Sequence, residues 1–192
     1  METILGLCIG IGLSAACGFR IFVPLLVMSV ACMMGWFEPI QGFGWLALPS
    51  VCLTLAIATI CEISAYYIPW VDNVLDTIAT PAAVIAGTVS TMAVSSGEMS
   101  QFVGWAAALI VGGGTAGAVQ FGTVALRGLS TATTGGAGNP VISTGEWISA
   151  AVLSIFSFFI PVLVVIALII AVVWFVRWFK KNKNDKTTPK TV

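Results

Sequence analysis

The chain contains no histidine, and only 8% of its 192 residues are charged. The first absence removes the commonest general base and zinc ligand. The second removes the solvated surface that a soluble domain requires. Five cysteines, Cys8, Cys17, Cys32, Cys52 and Cys61, are scattered through apolar segments without CxxC or Cys/His spacing. They read as helix-packing residues rather than as a disulfide framework or a metal site. Ser-His-Asp, Cys-His and paired-carboxylate arrangements are also missing, so no enzymatic activity, metal or cofactor is expected. Leu13-Ser-Ala-Ala-Cys17-Gly has the outline of a lipoprotein cleavage box, but no basic residues precede its apolar core, and the segment is expected to be retained.

What the chain does contain is hydrocarbon. Hydrophobic residues make up 58% of it and mean hydropathy is +1.04, values that identify an integral membrane protein. About 20 apolar residues cross a bilayer, and five stretches approach or exceed that length. The first, Ile4 to Met34, is too long for one straight crossing, with Gly18 and Pro24 as break points. Trp45 to Tyr67 follows, then Ile78 to Val94, then Phe102 to Leu126 with its small-residue run Gly112-Gly-Gly-Thr-Ala-Gly117. The last, Trp147 to Trp178, is interrupted by Pro161. Trp36, Trp45, Tyr66, Tyr67, Trp70, Trp105, Trp147, Trp174 and Trp178 bracket these runs as an interfacial aromatic belt. Ile68 to Asp76 reads as a short amphipathic piece on the membrane surface.

All five lysines, Lys180, Lys181, Lys183, Lys186 and Lys190, follow Arg177 in a tail directly after the last stretch. Positive charge beside a final span stays cytoplasmic, which puts the C-terminus inside and, with five spans, the N-terminus outside and the Trp36 to Gly44 loop inside. The expected organisation is one transmembrane domain, 1–179, and a basic cytoplasmic tail, 180–192. The tail is too short and too close to a span to suggest nucleic acid. Spans one and two then run opposite to spans four and five, which permits an inverted repeat. Gly12 to Phe19 can be laid on Gly114 to Phe121, and Cys61-Glu-Ile-Ser-Ala on Gly145-Glu-Trp-Ile-Ser-Ala.

Charge in or beside the apolar segments is sparse: Arg20, Glu62, Arg127 and Glu146, with Asp72 and Asp76 on the surface piece. An arginine at membrane depth is costly unless it meets a carboxylate, a carbonyl or water, so Arg20 is expected beside Glu62 or Glu146. The loop Ser130 to Pro140 holds three glycines in four positions, Gly135, Gly136 and Gly138, with Thr134 and Asn139 beside them. Such a composition lets backbone amides converge as an anion-binding nest, and the expectation is that they face the same space as Arg20. The loop has no lysine and no Walker spacing.

At these motifs the chain resembles a known family. Ala15-Ala-Cys-Gly-Phe-Arg20-Ile-Phe-Val-Pro24, Trp70-Val-Asp72-Asn-Val-Leu-Asp76 and Thr134-Gly-Gly-Ala-Gly-Asn-Pro140 are similar to segments of the small bacterial integral-membrane proteins grouped as domain of unknown function 4126. The resemblance implies a bacterial inner-membrane protein and assigns no activity, substrate or catalytic residue. The residues themselves point to an all-α polytopic membrane protein of about five transmembrane segments with broken helices. The expected role is a small transporter or channel-like protein for an anionic solute or lipid head group, with a titrating carboxylate available for proton coupling. Arg20, Glu62, Arg127, Thr134, Gly135, Gly136, Gly138, Asn139 and Glu146 form its expected binding set. Membrane lipids and an anionic small molecule are the expected partners, with a homo-oligomer left open. The alternative is a non-transport scaffold or partner subunit in which the same charges are structural ion pairs.

Overall fold

The computed structural model describes residues 2–68, 71–95 and 99–185, and among these every regular element is helical. In order they are α1 (Glu2–Phe19), α2 (Phe22–Met33), a 3-10 turn (Gly44–Ala47), α3 (Pro49–Ala65), α4 (Val71–Ala93), α5 (Gln101–Ala107), a π-helical stretch (Ala108–Gly113), α6 (Gly114–Thr134), α7 (Asn139–Phe159) and α8 (Pro161–Asp185). Among the described residues, three helices are long and apolar enough to cross a membrane: Val74–Ala93, Gln101–Thr134 and Asn139–Phe159. Thr3–Phe19, Phe22–Met33, Pro49–Ala65 and Pro161–Trp174 are apolar but shorter.

Proline chemistry sets the breaks. A proline ring clashes with the carbonyl four residues earlier, and for Pro24 that carbonyl belongs to Arg20. The α1 helix therefore ends at Phe19, between the two expected break points, and Pro24 falls in the first turn of α2, where a missing N–H is harmless. Pro161 acts alike, separating α7 from α8 at Ile160.

The first break is not a kink in one crossing. Leu13 of α1 and Met28 of α2 share an apolar cluster with Leu46 and Ala93. Trp36, just beyond α2, stacks edge-on against Phe159 at 5.1 Å, Phe37 lies 5.1 Å from Phe158, and the Ile40 amide donates to the Ala93 carbonyl. At the same level Gly10 abuts Thr91 and Gly12 abuts Ser157. Thus α1 and α2 form a helical hairpin with Arg20-Ile21 at its tip, and the segment after it returns to the end from which α1 set out. This corrects the expected single broken crossing. The Trp36 to Gly44 loop lies at the same end of the bundle as the start of α1, not at the opposite end.

From there α3 runs back past the hairpin tip. Its return helix, α4, pairs antiparallel with the continuous α5–α6 rod: Asp76 meets Arg127, Val84 meets Gly113 and Gly117, and Thr91 meets Gly112. The expected surface piece is also corrected. Residues 69 and 70 lie outside the described set, but from Val71 onward the segment is the first turns of α4, with Asp72 and Asp76 buried. Residues 186–192 of the expected tail likewise lie outside the described residues. Of the segments matched for a repeat, Gly12 to Phe19 ends a helix while Gly114 to Phe121 lies inside one.

The outside of the molecule is apolar, and its interior is mixed, with many polar side chains buried beside the apolar clusters. On α7 the buried residues are Asn139, Ser143, Glu146, Ala150, Ser154 and Ser157, one helical face of polar and small side chains, whereas Ile148, Val152, Ile155, Phe156 and Phe159 are exposed. That polarity suits hydrocarbon surroundings and reverses the pattern of a water-soluble helix. Small residues permit the tight contacts. A Cβ on Gly18 would stand 2.5 Å from the Ala116 carbonyl oxygen and 2.6 Å from Val119 Cβ. Gly18→Ala should accordingly cost about 1–3 kcal/mol through overpacking. Thermal unfolding in detergent checks it, with Gly122→Ala, which meets open space, as the comparison.

Candidate functional site

Where the hairpin tip meets α7, about two turns or 10 Å from the start of that helix, the buried charges converge. Arg20 is 2% exposed and Arg127 is 1% exposed, so neither guanidinium reaches bulk solvent. Arg20 Nη2 lies 2.9 Å from Glu146 Oε2 and also donates to the Ser143 carbonyl at 3.4 Å. From α6, Arg127 donates through Nη2 to Glu146 Oε2 at 2.5 Å, through Nε to Oε1 at 3.1 Å, and through Nη1 to Asp76 Oδ1. One carboxylate thus bridges two arginines, and a second completes Arg127. Such charge-assisted pairs are what allow guanidinium groups to be buried.

Tyr66, at the C-terminal end of α3, supplies an aromatic floor. The guanidinium carbons of Arg20 and Arg127 lie over its ring, 3.7 and 4.3 Å from the centroid. In a desolvated site each cation–π contact is favourable.

Glu62 has a different task. Its Oε1 and Oε2 accept hydrogen bonds from the Ile21 and Phe22 amides, at 2.8 and 3.0 Å. These amides open α2 and have no intrahelical acceptor, so α3 caps the re-entrant helix with a carboxylate where the helix dipole favours negative charge. The expectation that Arg20 pairs with Glu62 or Glu146 is met through Glu146.

The glycine loop differs from its expected form. Gly135, at φ +65°, terminates α6, and Gly136, at φ +91°, continues the turn. Its amides are used within the turn: Gly135 donates to Thr131, Ala137 to Thr134, Gly138 to the Thr134 hydroxyl and Asn139 to Gly136. They form a compact helix-to-helix connection at the end of the bundle, not a nest open toward Arg20. Thr134, Gly135 and Ala137 are exposed. Only Asn139 reaches inward. Its Nδ2 donates to Asp72 Oδ2 at 2.8 Å and to Thr131 Oγ1 at 3.1 Å, joining α4, α6 and α7. A Cβ on Gly138 would come 2.6 Å from Ser130 Oγ, so bulky substitution there disturbs packing first.

Asp72, Asp76, Tyr66 and Ser143 are the participants that sequence reasoning missed. A signal for the two aspartates existed: positions 72, 76, 79, 83, 86 and 90 repeat at helical spacing, and all six are buried. That register continues α4 back through Val71. Tyr66 had no comparable signal, because it follows a helix end exactly as a belt residue does.

The motifs around Arg20, Asp72, Asp76 and Asn139 are the ones by which the sequence resembles a family, and the fold brings them to one end of the bundle. The model of that family, Domain of unknown function (DUF4126), matches residues 7–181. The chain belongs to the DUF4126 family. No curated protein and no solved structure matches it. Arg20, Asp76, Arg127, Asn139 and Glu146 of this DUF4126 member all lie inside the matched region.

Proposed function

We propose that this DUF4126 member is a small membrane transporter or channel-like protein for an anionic solute, coupled to protons through Glu146. The observation carrying the reading is Arg20: a buried guanidinium at a hairpin tip whose Nε and Nη1 have no hydrogen-bond partner. The unused donors lie on diverging edges of the guanidinium, and each can give a single charge-assisted hydrogen bond to an oxygen of a carboxylate or phosphate-type anion.

Coupling follows from charge arithmetic. Two cations face four carboxylates, Glu62, Asp72, Asp76 and Glu146, so an anion arriving alone meets a surplus of negative charge. A proton on Glu146 changes this. It weakens the bridge to Arg20 and Arg127 together and leaves Asp76 as their remaining close counter-charge, because Glu62 is held by the hairpin amides and Asp72 by Asn139. Tyr66 faces the same groups and carries no charge while protonated. Anion and proton therefore favour each other's binding, and the coupling is reciprocal.

In this reading α3, α4, α5 with α6, α7 and α8 make five crossings of a bacterial inner membrane. The hairpin enters from the N-terminal side, and the basic C-terminus is cytoplasmic. Glu62 on α3 and Glu146 on α7 approach the tip on helices of opposite direction, the part of an inverted repeat that retains support.

Thermal stabilisation by acetate, nitrate and phosphate at pH 5.5 and 7.5 tests the site. The parent should be stabilised more at the lower pH, Arg20→Gln at neither, and Glu146→Gln equally at both. The same shifts in Arg20→Gln as in the parent would reject it. Arg127 supports the scaffold as a second reading: all its donor nitrogens are paired and it ties α4, α6 and α7 together. Under that reading Arg20→Gln changes stability alone.

A further inference from the structure

The α3 helix packs on α2 and on the 3-10 turn, and its side toward α4 stays open. A cavity of 440 Å³ lies there. Ala58 and Ala65 of α3 face Ile78 and Ala79 of α4 across it, with Ile21 and Phe22 of the hairpin tip at its inner wall. We propose that this cavity holds one acyl chain of a membrane phospholipid. The cavity shares its Tyr66 wall with the charge cluster, and the proposal does not depend on the anion reading.

Three observations select this occupant. The flanks of the mouth are hydrocarbon: Leu53, Ile57 and Ile60 on α3 and Ile78 and Ile85 on α4 are 55–65% exposed. Anything entering sideways comes from the lipid phase. Next, the polar residues in the lining are already engaged. Both Glu62 oxygens accept the hairpin amides, and the Tyr66 ring lies against the two guanidinium groups. Apart from the weakly polar Cys61 thiol, hydrated solutes would find no side-chain donor or acceptor to replace their water. Finally, the lining on α4 begins at Leu75, one turn into the helix, and reaches Ala82, a run of about 10 Å along the bundle. That orientation matches a chain descending from a head group at the level of Tyr67, whose exposed ring carries a hydroxyl within 2.7 Å of Thr144 Oγ1.

An acyl chain there removes the cost of an empty apolar space. It also keeps water from the Glu62 cap that holds the hairpin tip, so lipid occupancy and hairpin docking support each other.

The test is native mass spectrometry of the full chain after exchange into detergent and titration with palmitoyl-oleoyl phosphatidylglycerol. The parent should retain one phospholipid per chain. Ala79→Trp, which fills the cavity, should lose it, while Ile166→Trp on an exposed face of α8 should keep it. A second measurement needs no altered protein. Cys61 lines the cavity and is exposed, so its reaction with N-ethylmaleimide, mapped by peptide mass, should be suppressed by the phospholipid and not by phosphate or glycerol phosphate. Equal retention by the parent and Ala79→Trp, or Cys61 labelling indifferent to phospholipid, would overturn the proposal. So would a dimer mass that Ala79→Trp converts to monomer, because it would assign the opening to a second copy of the chain.

Discussion

Glu146→Ala is expected to leave little folded protein in the membrane fraction. Two almost fully buried guanidiniums now share one carboxylate oxygen, and the substitution leaves Arg20 without a carboxylate and Arg127 with Asp76 alone. Breaking a buried pair by deleting one partner costs about 3–5 kcal/mol, because the survivor stays buried and uncompensated. Here one guanidinium loses its carboxylate and the second loses one of two, against a typical total stability of roughly 5–15 kcal/mol. Glu146→Gln should be milder, since its amide oxygen still accepts from one arginine. Yield and thermal unfolding in detergent measure both. If Glu146→Ala unfolds within about 1 kcal/mol of the parent, water reaches the cluster and the buried-pair account is wrong.

The second large effect distinguishes the two arginines. Arg127→Ala should cost a similar amount, about 3–5 kcal/mol, because it removes the cation hydrogen-bonded to Asp76 and leaves Glu146 with Arg20 alone. Arg20→Ala should cost clearly less. Glu146 then keeps both contacts to Arg127, and Arg20's own lost partners are one carboxylate oxygen, one long contact to a carbonyl and the Tyr66 ring, on which Arg127 stays stacked. Function should show the reverse order, with Arg20 variants folded but inactive. Paired measurements of unfolding temperature and anion-dependent stabilisation check the order, and equal losses of stability would make the two arginines equivalent structural clamps.

Composition alone made the membrane character and the helical class legible, and the cost of an unpaired guanidinium put Arg20 beside Glu62 or Glu146, of which the structure selects Glu146. Pro24 could have placed the break more exactly. Its ring forbids a helical carbonyl at Arg20, which makes the arginine itself the break. The hairpin was not legible. A hydrophobic run from Ile4 to Met34 has the same composition whether its second half continues or returns, and only tertiary contacts such as Leu13 with Met28 and Trp36 with Phe159 decide. Asp72 and Asp76 read as surface residues because the short piece from Ile68 to Asp76 between two apolar runs is amphipathic. Their partners, Asn139 and Arg127, are 67 and 51 residues away along the chain. For the glycine loop, composition that serves an anion nest serves a tight helix connection equally well, and the hydroxyl of Thr134 decided between them by taking the Gly138 amide.

The central claim is that Arg20 offers its unused donors to a solute that crosses the membrane, and flux through proteoliposomes tests it most directly. Vesicles containing the parent chain, loaded separately with nitrate, acetate, lactate, phosphate or glutamate, should release at least one of these anions faster than protein-free vesicles. Release should quicken when the interior is acidified and slow when the outside is, because anion and proton leave together, and Arg20→Gln vesicles with the same amount of folded protein should match the protein-free rate. Parent vesicles that release all five anions no faster than empty ones, or Arg20→Gln vesicles as fast as the parent, would contradict the account and favour the scaffold.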